Sequence, residues 1–159
     1  VFIASHSDQA LALLADPSET ELEVLGAIKY QGNEVLLHTD ESVLPTRRRA
    51  WAAWNYHLLG GNQTRVPVTY NMNILQGFDC PQQFCVTLNN SDAIDPSKVL
   101  KRMHYQHPVY TPESVAAQAR QAEMNIGRTF YCVSYLRYGF HEDGVVSALE
   151  ALKHFEQSL

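Results

Sequence analysis

The stretch RTFYCVSYLRYGFHEDGVVSALEALKHF, residues 128–155, decides how this chain can fold. Residues 128–135 are largely apolar, β-branched or aromatic, which is typical of a strand buried on both faces of a parallel sheet. Gly139 and Gly144 then enclose an aromatic side chain, a histidine and two carboxylates, and the apolar spacing from residue 145 onward predicts a helix. The stretch is therefore a strand, a glycine-bearing turn and a helix.

The beginning of the sequence carries a second strand and helix of the same kind. Residues 1–5, VFIAS, predict a short buried strand, and Ser7 or Asp8 is expected to cap the helix that follows. We expect residues 2–4 to run parallel to residues 131–133. Because the sequence begins inside an apolar strand, we also expect it to be part of a longer protein.

Two further helices are indicated by their start signals. Ser18 is followed three residues later by Glu21, which is the pattern of a capping box. Residues 112–126 predict another helix, with Thr111 as its N-cap and Gly127 as its stop signal.

The middle of the chain, residues 28–107, predicts an antiparallel sheet. Strand-like runs occupy residues 28–40 (two short strands or one bent strand), 50–59, 65–75, 83–90 and 100–110. The segment Gly60-Gly61-Asn62 predicts a hairpin between the second and third runs. The expected fold class is α+β: an antiparallel or mixed sheet flanked by helices, with a terminal parallel strand pair and a C-terminal helix.

Charge and composition exclude several classes of protein. The 159 residues carry 12 Lys and Arg against 17 Asp and Glu, a net charge of -5, which disfavours nucleic acid as a partner. No apolar run is long enough to predict a membrane span. Cys80, Cys85 and Cys132 lack metal-ligand spacing and indicate reduced thiols, so we expect a cytoplasmic location.

The turn between Gly139 and Gly144 admits two interpretations. A zinc site is disfavoured, because the histidine of His141-Glu142 would need a second histidine one helical turn later, where the chain has Val145. Glu142 and Asp143 are explained by a helix N-terminus that favours anions and by capping. The surrounding glycines and aromatic are equally explained by a turn whose backbone N–H groups contact a phosphate or a polarised ring carbonyl.

Long runs of this sequence resemble those of a known family. They are FIASHSDQALALLADPS at the start, AIKYQGNEVLLHTDESVLPTRRRAWAAWNY, VTYNMNILQ, FCVTLN and YQHPVY in the middle, and YGFHEDG before the last helix. Together they resemble the flavin-containing amine oxidase-like proteins, and more narrowly the bacterial group of predicted NAD/FAD-binding proteins. The resemblance covers nearly the whole chain.

This resemblance implies an FAD-dependent oxidoreductase that transfers hydride from an amine, or from another activated C–H, to the flavin. It implies that residues 1–17 are a remnant of an FAD-binding domain, that residues 18–127 are the substrate domain, and that residues 128–159 are the last strand and helix of the FAD domain. The phosphate-binding glycine loop of the family is absent from this sequence. We therefore expect the 159-residue chain alone to bind no FAD and to be inactive, and FAD to be bound by the full-length protein.

The site residues that the resemblance implies fall in three groups. The expected cofactor contacts are Ser134, Tyr138, Gly139, Phe140, His141, Glu142, Asp143 and Gly144. Lys29 corresponds to a lysine near the flavin, although a solvated strand lysine is the simpler interpretation. Trp54, Tyr56 and Tyr70 are expected either to pack on the sheet or to form a wall for a small-molecule substrate. No metal site is expected.

The expected partners follow from the same interpretation. They are the small-molecule substrate and the missing N-terminal FAD-binding domain, and the open edges of the terminal strand pair favour self-association of this chain. The alternative function, from another class, is a non-catalytic α+β binding or interaction module without a cofactor.

Overall fold

The computed structural model describes residues 1–60 and 65–157, apart from the side chains of residues 156 and 157. The chain divides into two compact units, which we call the terminal unit (Val1–Gln31 with Pro108–Leu159) and the central unit (Gly32–His107). The strands are β1 (Phe2–Ile3), β2 (Lys29–His38), β3 (Trp54–Tyr56), β4 (Val68–Asn71), β5 (Cys85–Leu88), β6 (Val99–Val109) and β7 (Phe130–Tyr131). The α-helices are α1 (Ser7–Leu13), α2 (Glu19–Ala27), α3 (Met72–Gln76), α4 (Pro112–Gln118), α5 (Gln121–Met124) and α6 (His141–Gln157).

The predicted fold class is confirmed. Strands β3, β4, β5, β2 and β6 form, in that order, one open antiparallel sheet, while β1 and β7 form a separate parallel pair. Helices precede and follow the sheet in the sequence, as expected. None of the helices in the described ranges has the length and apolar character needed to cross a membrane.

The terminal strands pair in parallel as predicted, but one residue out of the expected register. Phe2 lies opposite Phe130, and Ile3 lies opposite Tyr131. The rings of Phe2 and Phe130 stack with their centroids 5.2 Å apart, and both also contact the ring of Phe155. This three-ring contact favours the observed register, which sequence alternation alone does not define.

The capping predictions give a mixed result. The capping box of α2 is confirmed, since the Ser18 hydroxyl accepts from the Glu21 N–H and the Glu21 carboxylate accepts from the Ser18 N–H. The prediction for α1 is wrong, because its N-cap position is His6 and the cap has no side-chain hydrogen bond. Ser7 cannot cap, because it is fully buried and its hydroxyl donates to the Ile28 carbonyl.

The predicted helix over residues 112–126 is two helices in the structure. Thr111 caps α4 in a reciprocal pair with Ser114, as the N-cap prediction requires. The N–H of Arg120 then bonds the carbonyl of Ala117, and the N–H of Glu123 bonds the carbonyl of Arg120. These tighter, three-residue hydrogen bonds interrupt the α-helix before Gly127 is reached.

The core of the terminal unit is apolar. Its buried members come from α1, α2, α4, α5 and the segment around β7, namely Ala10, Val24, Leu25, Ile28, Ala117, Met124, Tyr131, Tyr135 and Leu136. Burial of this surface is the main source of stability for such a unit.

Two strand predictions of the central unit have different outcomes. The run 28–40 contains the single strand β2, one of the two predicted alternatives, whereas the run 65–75 ends as a strand at Asn71 and continues as a helix. There the Asn71 side chain accepts from the Ile74 N–H and starts α3, and Gly77, with φ 66°, ends it. Strands β3 and β4 pair antiparallel, but the predicted Gly60-Gly61-Asn62 hairpin connection extends outside the described residues.

Candidate functional site

The end of β7 and the start of α6 enclose an open cleft of about 420 Å³ in the terminal unit. Its lining residues are Cys132, Val133, Ser134, Gly139, Phe140, His141 and Gly144. Five of the eight expected cofactor contacts thus line one cleft. Tyr138, Glu142 and Asp143 do not.

Gly139 shapes the turn that borders this cleft. Its φ of 88° lies in the region that favours glycine, and its N–H donates to the Ser134 carbonyl at 3.1 Å. A Cβ on Gly139 would also collide with the Tyr110 hydroxyl. The backbone conformation therefore favours glycine at this position, and any other residue would also displace the Tyr110 side chain, which is 44% exposed.

Asp143 holds the start of α6 in place. Its Oδ2 accepts from the Phe140 N–H at 2.9 Å, and its Oδ1 lies 3.6 Å from Nε of Arg137. The side chain is almost fully buried. Asp143 is consequently a capping residue, as one of the two sequence interpretations proposed, and α6 begins at His141 rather than at the predicted residue 145.

Gly144 lies inside the first turn of α6 and not at the end of the preceding turn. Its φ is not positive, and a Cβ there would approach no closer than 4.0 Å, to Cβ of Ser134. Nothing within the described residues demands glycine at 144. A side chain at this position would instead occupy the cleft.

The donors at this helix start are backbone amides. The first N–H groups of an α-helix, here those of His141 and Glu142, have no partner within the helix and face outward along its axis. The helix dipole makes this end partly positive, but the carboxylates of Glu142 and Asp143 oppose that charge. The charge balance favours a neutral, polarised acceptor over a dianionic one.

Tyr138 lies apart from this cleft. It is 74% exposed and lines a second, smaller cleft of about 320 Å³ with Tyr110, Val115, Gln118, Leu136 and Arg137. The Gln118 amide donates to the carbonyls of Tyr135 and Arg137, which holds the segment before the turn against α4.

Lys29 is the first residue of β2, and its side chain is exposed. A lysine that moves protons beside a flavin is expected to be desolvated, and this chain does not supply that burial.

The aromatic residues expected to contact substrate lie on one face of the central sheet. Trp54 pairs with Tyr70 across β3 and β4, with ring centroids 5.5 Å apart in an edge-to-face arrangement, and Tyr56 follows on the same face. Trp54 and Tyr56 are 52% and 57% exposed, while partial burial raises the pKa of Tyr70. Where β2, β4 and β5 are paired, strand register adds aliphatic residues to this face, namely Val35, Leu37, Val68, Val86 and Leu88.

The opposite face of the same sheet is buried and polar, which the sequence analysis missed. Its fully or nearly fully buried members include His38, Asn55, Thr69, Asn71 and Thr87. The signal that could have found them is the Thr-x-Asn-x-Asn alternation of residues 69–73. Polar alternation in a strand is normally taken as the solvent-facing side.

Asp40 is a second polar centre that the sequence analysis missed. The carboxylate accepts from the N–H groups of Asp95 and Ser42 and from Nζ of Lys98, at 2.9, 3.1 and 3.0 Å. Burial by itself would raise the pKa of this carboxyl, but these hydrogen bonds outweigh burial and hold the pKa well below its usual range. Asp40 therefore joins two segments, the one that follows β2 and the one that precedes β6.

No cluster of three or more metal-ligating side chains occurs in residues 1–60 and 65–157. A comparison with protein-family models and with curated proteins finds no match for this chain.

Proposed function

We propose that this chain is the substrate-side portion of an FAD-dependent, amine-oxidase-like oxidoreductase, and that the cleft at the start of α6 contacts the flavin ring. The observation that carries the proposal is Gly144, where an otherwise unconstrained glycine leaves the cleft open beside free helix amides. Bound FAD would supply the hydride acceptor for oxidation of an amine or another activated C–H.

Two features of the cleft suit a flavin ring. The first N–H groups of α6 are donors of the kind that a ring carbonyl accepts from, and the half-exposed Phe140 offers an apolar wall. The nearby carboxylates disfavour the pyrophosphate at this position. We accordingly assign the pyrophosphate to the N-terminal FAD-binding domain of the full-length protein.

The exposed aromatic face of the central sheet is the proposed substrate surface. Trp54, Tyr56 and Tyr70 give flat apolar area, and the positions paired with them on this face in β2, β4 and β5 are aliphatic. The part of a substrate that contacts this face is therefore apolar. The reacting amine or C–H is oriented by such contacts, while the cofactor performs the oxidation.

A non-catalytic binding module is the second candidate, and a specific observation favours it. The Tyr110 packing and the Asp143 cap account for Gly139 and Asp143 without any cofactor. In that case the aromatic face of the central sheet is an interaction surface.

Reconstitution of the full-length protein with FAD separates the two candidates. The purified protein is incubated with excess FAD, freed of unbound cofactor on a desalting column, and examined by visible absorbance. A bound flavin spectrum and its bleaching by a substrate amine support the oxidoreductase. A colourless protein that is folded by circular dichroism contradicts it and favours the binding module.

A further inference from the structure

Four side chains form a continuous hydrogen-bonded row across the buried face of the central sheet. Nε2 of His57 lies 2.8 Å from Oγ1 of Thr69, which lies 2.7 Å from Oγ1 of Thr87, which in turn lies 2.8 Å from Nε2 of His38. Thr69, Thr87 and His38 are almost completely excluded from solvent, and His57 is half-buried. We call these four residues the His–Thr row.

One backbone contact fixes the tautomer of His38. The Asp40 N–H donates to Nδ1 of His38 at 3.1 Å, so Nδ1 must be unprotonated and the proton of neutral His38 must be on Nε2, from which it donates to Thr87. Every hydroxyl of the row then has an acceptor within the row only if Thr87 donates to Thr69 and Thr69 donates to Nε2 of His57. In this arrangement neutral His57 carries its proton on Nδ1.

The row cannot serve as a proton wire. At its inner end the partner of His38 is a backbone N–H, which does not release its proton. Net transfer along the row would also leave His38 as an imidazolate. The geometry of the row instead disfavours proton uptake by the two histidines.

Proton uptake by either histidine is incompatible with the row. A doubly protonated His38 directs its Nδ1–H at the Asp40 N–H, so that two donors face each other. A doubly protonated His57 reverses both threonine hydroxyls, and Thr87 is then left accepting from two sides with no acceptor in the row for its own proton. Each case leaves a buried donor unsatisfied, which is costly in a protein interior.

The charged neighbours of His38 are few and largely compensated. The Asp40 carboxylate, which would favour protonated His38, is engaged by Lys98 and by the Asp95 N–H. Cys85 lies directly opposite on β5, and burial raises the pKa of its thiol to about 11, with smaller contributions from Glu41 and Asp40, so it is neutral. No Asp or Glu of the described ranges forms an ion pair with His57.

We propose that the His–Thr row is an acid-sensitive latch: it holds the central sheet together while both histidines are neutral, and uptake of one proton opens it.

The direction of the pH effect follows from burial. Burial lowers the pKa of His38 and also that of His57 in the folded chain. The unfolded chain, with an ordinary histidine pKa of about 6.5, therefore binds more protons than the folded chain at mildly acidic pH. The stability contributed by the row is complete above that pH and is lost as the pH falls below it.

Histidine-detected NMR on the uniformly labelled chain tests the hydrogen-bond pattern directly. At pH 7.5 we expect the Nε2–H tautomer for His38 and the Nδ1–H tautomer for His57, with both rings titrating below the ordinary histidine range. The opposite tautomer at either histidine overturns the proposal.

Acid unfolding followed by tryptophan fluorescence tests the latch itself. In His57→Gln, an amide oxygen can accept from Thr69 without titrating, so the variant should unfold at a lower pH than the wild type. His104→Gln, a change at an exposed histidine of β6, serves as the matched control and should leave the midpoint unchanged. Equal midpoints for wild type and His57→Gln contradict the latch.

Discussion

The terminal and central units of this chain differ in which contacts dominate their interiors. The terminal unit buries an apolar cluster around Leu25 and Tyr131, together with the capping carboxylate of Asp143. The central unit buries the Asp40 carboxylate and a hydrogen-bonded row of His38, Thr87 and Thr69 beside apolar side chains such as Leu36. Apolar burial therefore contributes more of the stability in the terminal unit, whereas the central unit depends more on satisfied polar groups, whose loss is costly and sensitive to pH.

The largest effect is expected from Asp40→Ala in the central unit. Removal of the carboxylate leaves the N–H groups of Asp95 and Ser42 and the Lys98 ammonium without their acceptor. We expect a loss of about 4 kcal/mol of unfolding free energy, because two backbone N–H groups each lose a hydrogen bond to a charged acceptor, whereas the half-exposed Lys98 ammonium can be solvated. Both tryptophans of the chain, Trp51 and Trp54, lie in this unit, so urea unfolding followed by their fluorescence measures the loss.

Asp92→Ala, at an exposed carboxylate nearby, is the control and should change little. The Asp40 contribution also has a defined pH window. Because the folded pKa lies below the ordinary value of 3.8, the contribution is complete above that pH and is lost as the pH falls through and below it. A loss under 1 kcal/mol at neutral pH would contradict the polar account of the central unit.

The sequence predicted the parts of this fold that depend on local chemistry. The Ser18–Glu21 and Thr111 caps follow from side chains within one helical turn, and the parallel terminal strands follow from their continuous apolar runs. The predictions were wrong where contacts between residues distant in sequence determine the structure. The Ser7 hydroxyl donates to the Ile28 carbonyl and so cannot cap α1. The polar face of the sheet is buried by tertiary packing, which the alternation of polar residues in the sequence does not reveal.

For the candidate site, the sequence indicated that residues 139–144 form one turn, either a helix cap or a cofactor contact. Five of the eight residues expected to contact a cofactor line one cleft, and their contact with a cofactor stays a prediction. The sequence could not separate the roles of the two glycines, because only the backbone conformation and Tyr110 distinguish Gly139 from Gly144. Nor could it reveal the His–Thr row, whose members are distant in sequence.

Leu25→Ala tests the contribution of apolar burial to the stability of the terminal unit. Leu25 is fully buried in the apolar cluster, and its truncation should cost about 3 kcal/mol of unfolding free energy through lost burial and the cavity left behind. Because no titratable group is involved, the loss should be the same at pH 5.5 and pH 7.5. Far-UV circular dichroism monitors this unit, which holds five of the six α-helices of the described ranges. A loss of unfolding free energy that differs between pH 5.5 and pH 7.5 would contradict the claim that apolar contacts dominate this part of the terminal unit.

Gly139→Ala should have a smaller effect, of about 2 kcal/mol, from the positive φ and from the collision with Tyr110. Gly127→Ala is the matched control, since Gly127 also has a positive φ of 63° but an added Cβ there meets no atom within 4 Å. The difference between the two variants in thermal unfolding isolates the Tyr110 contact. Tyr110→Phe should recover part of the Gly139→Ala loss, and failure to do so would contradict the assigned contact.

Flavin retention by Gly144→Val in the full-length protein tests the proposed function most directly. The control is Gly26→Val, another glycine replacement within a helix, where an added Cβ meets no atom within 4 Å. Both variants should unfold at temperatures close to the wild type, because neither position has a packing requirement for glycine. The proposal predicts that Gly144→Val loses most of its FAD after gel filtration while Gly26→Val keeps a full complement. Equal flavin content in the two variants would contradict contact between the flavin and the start of α6.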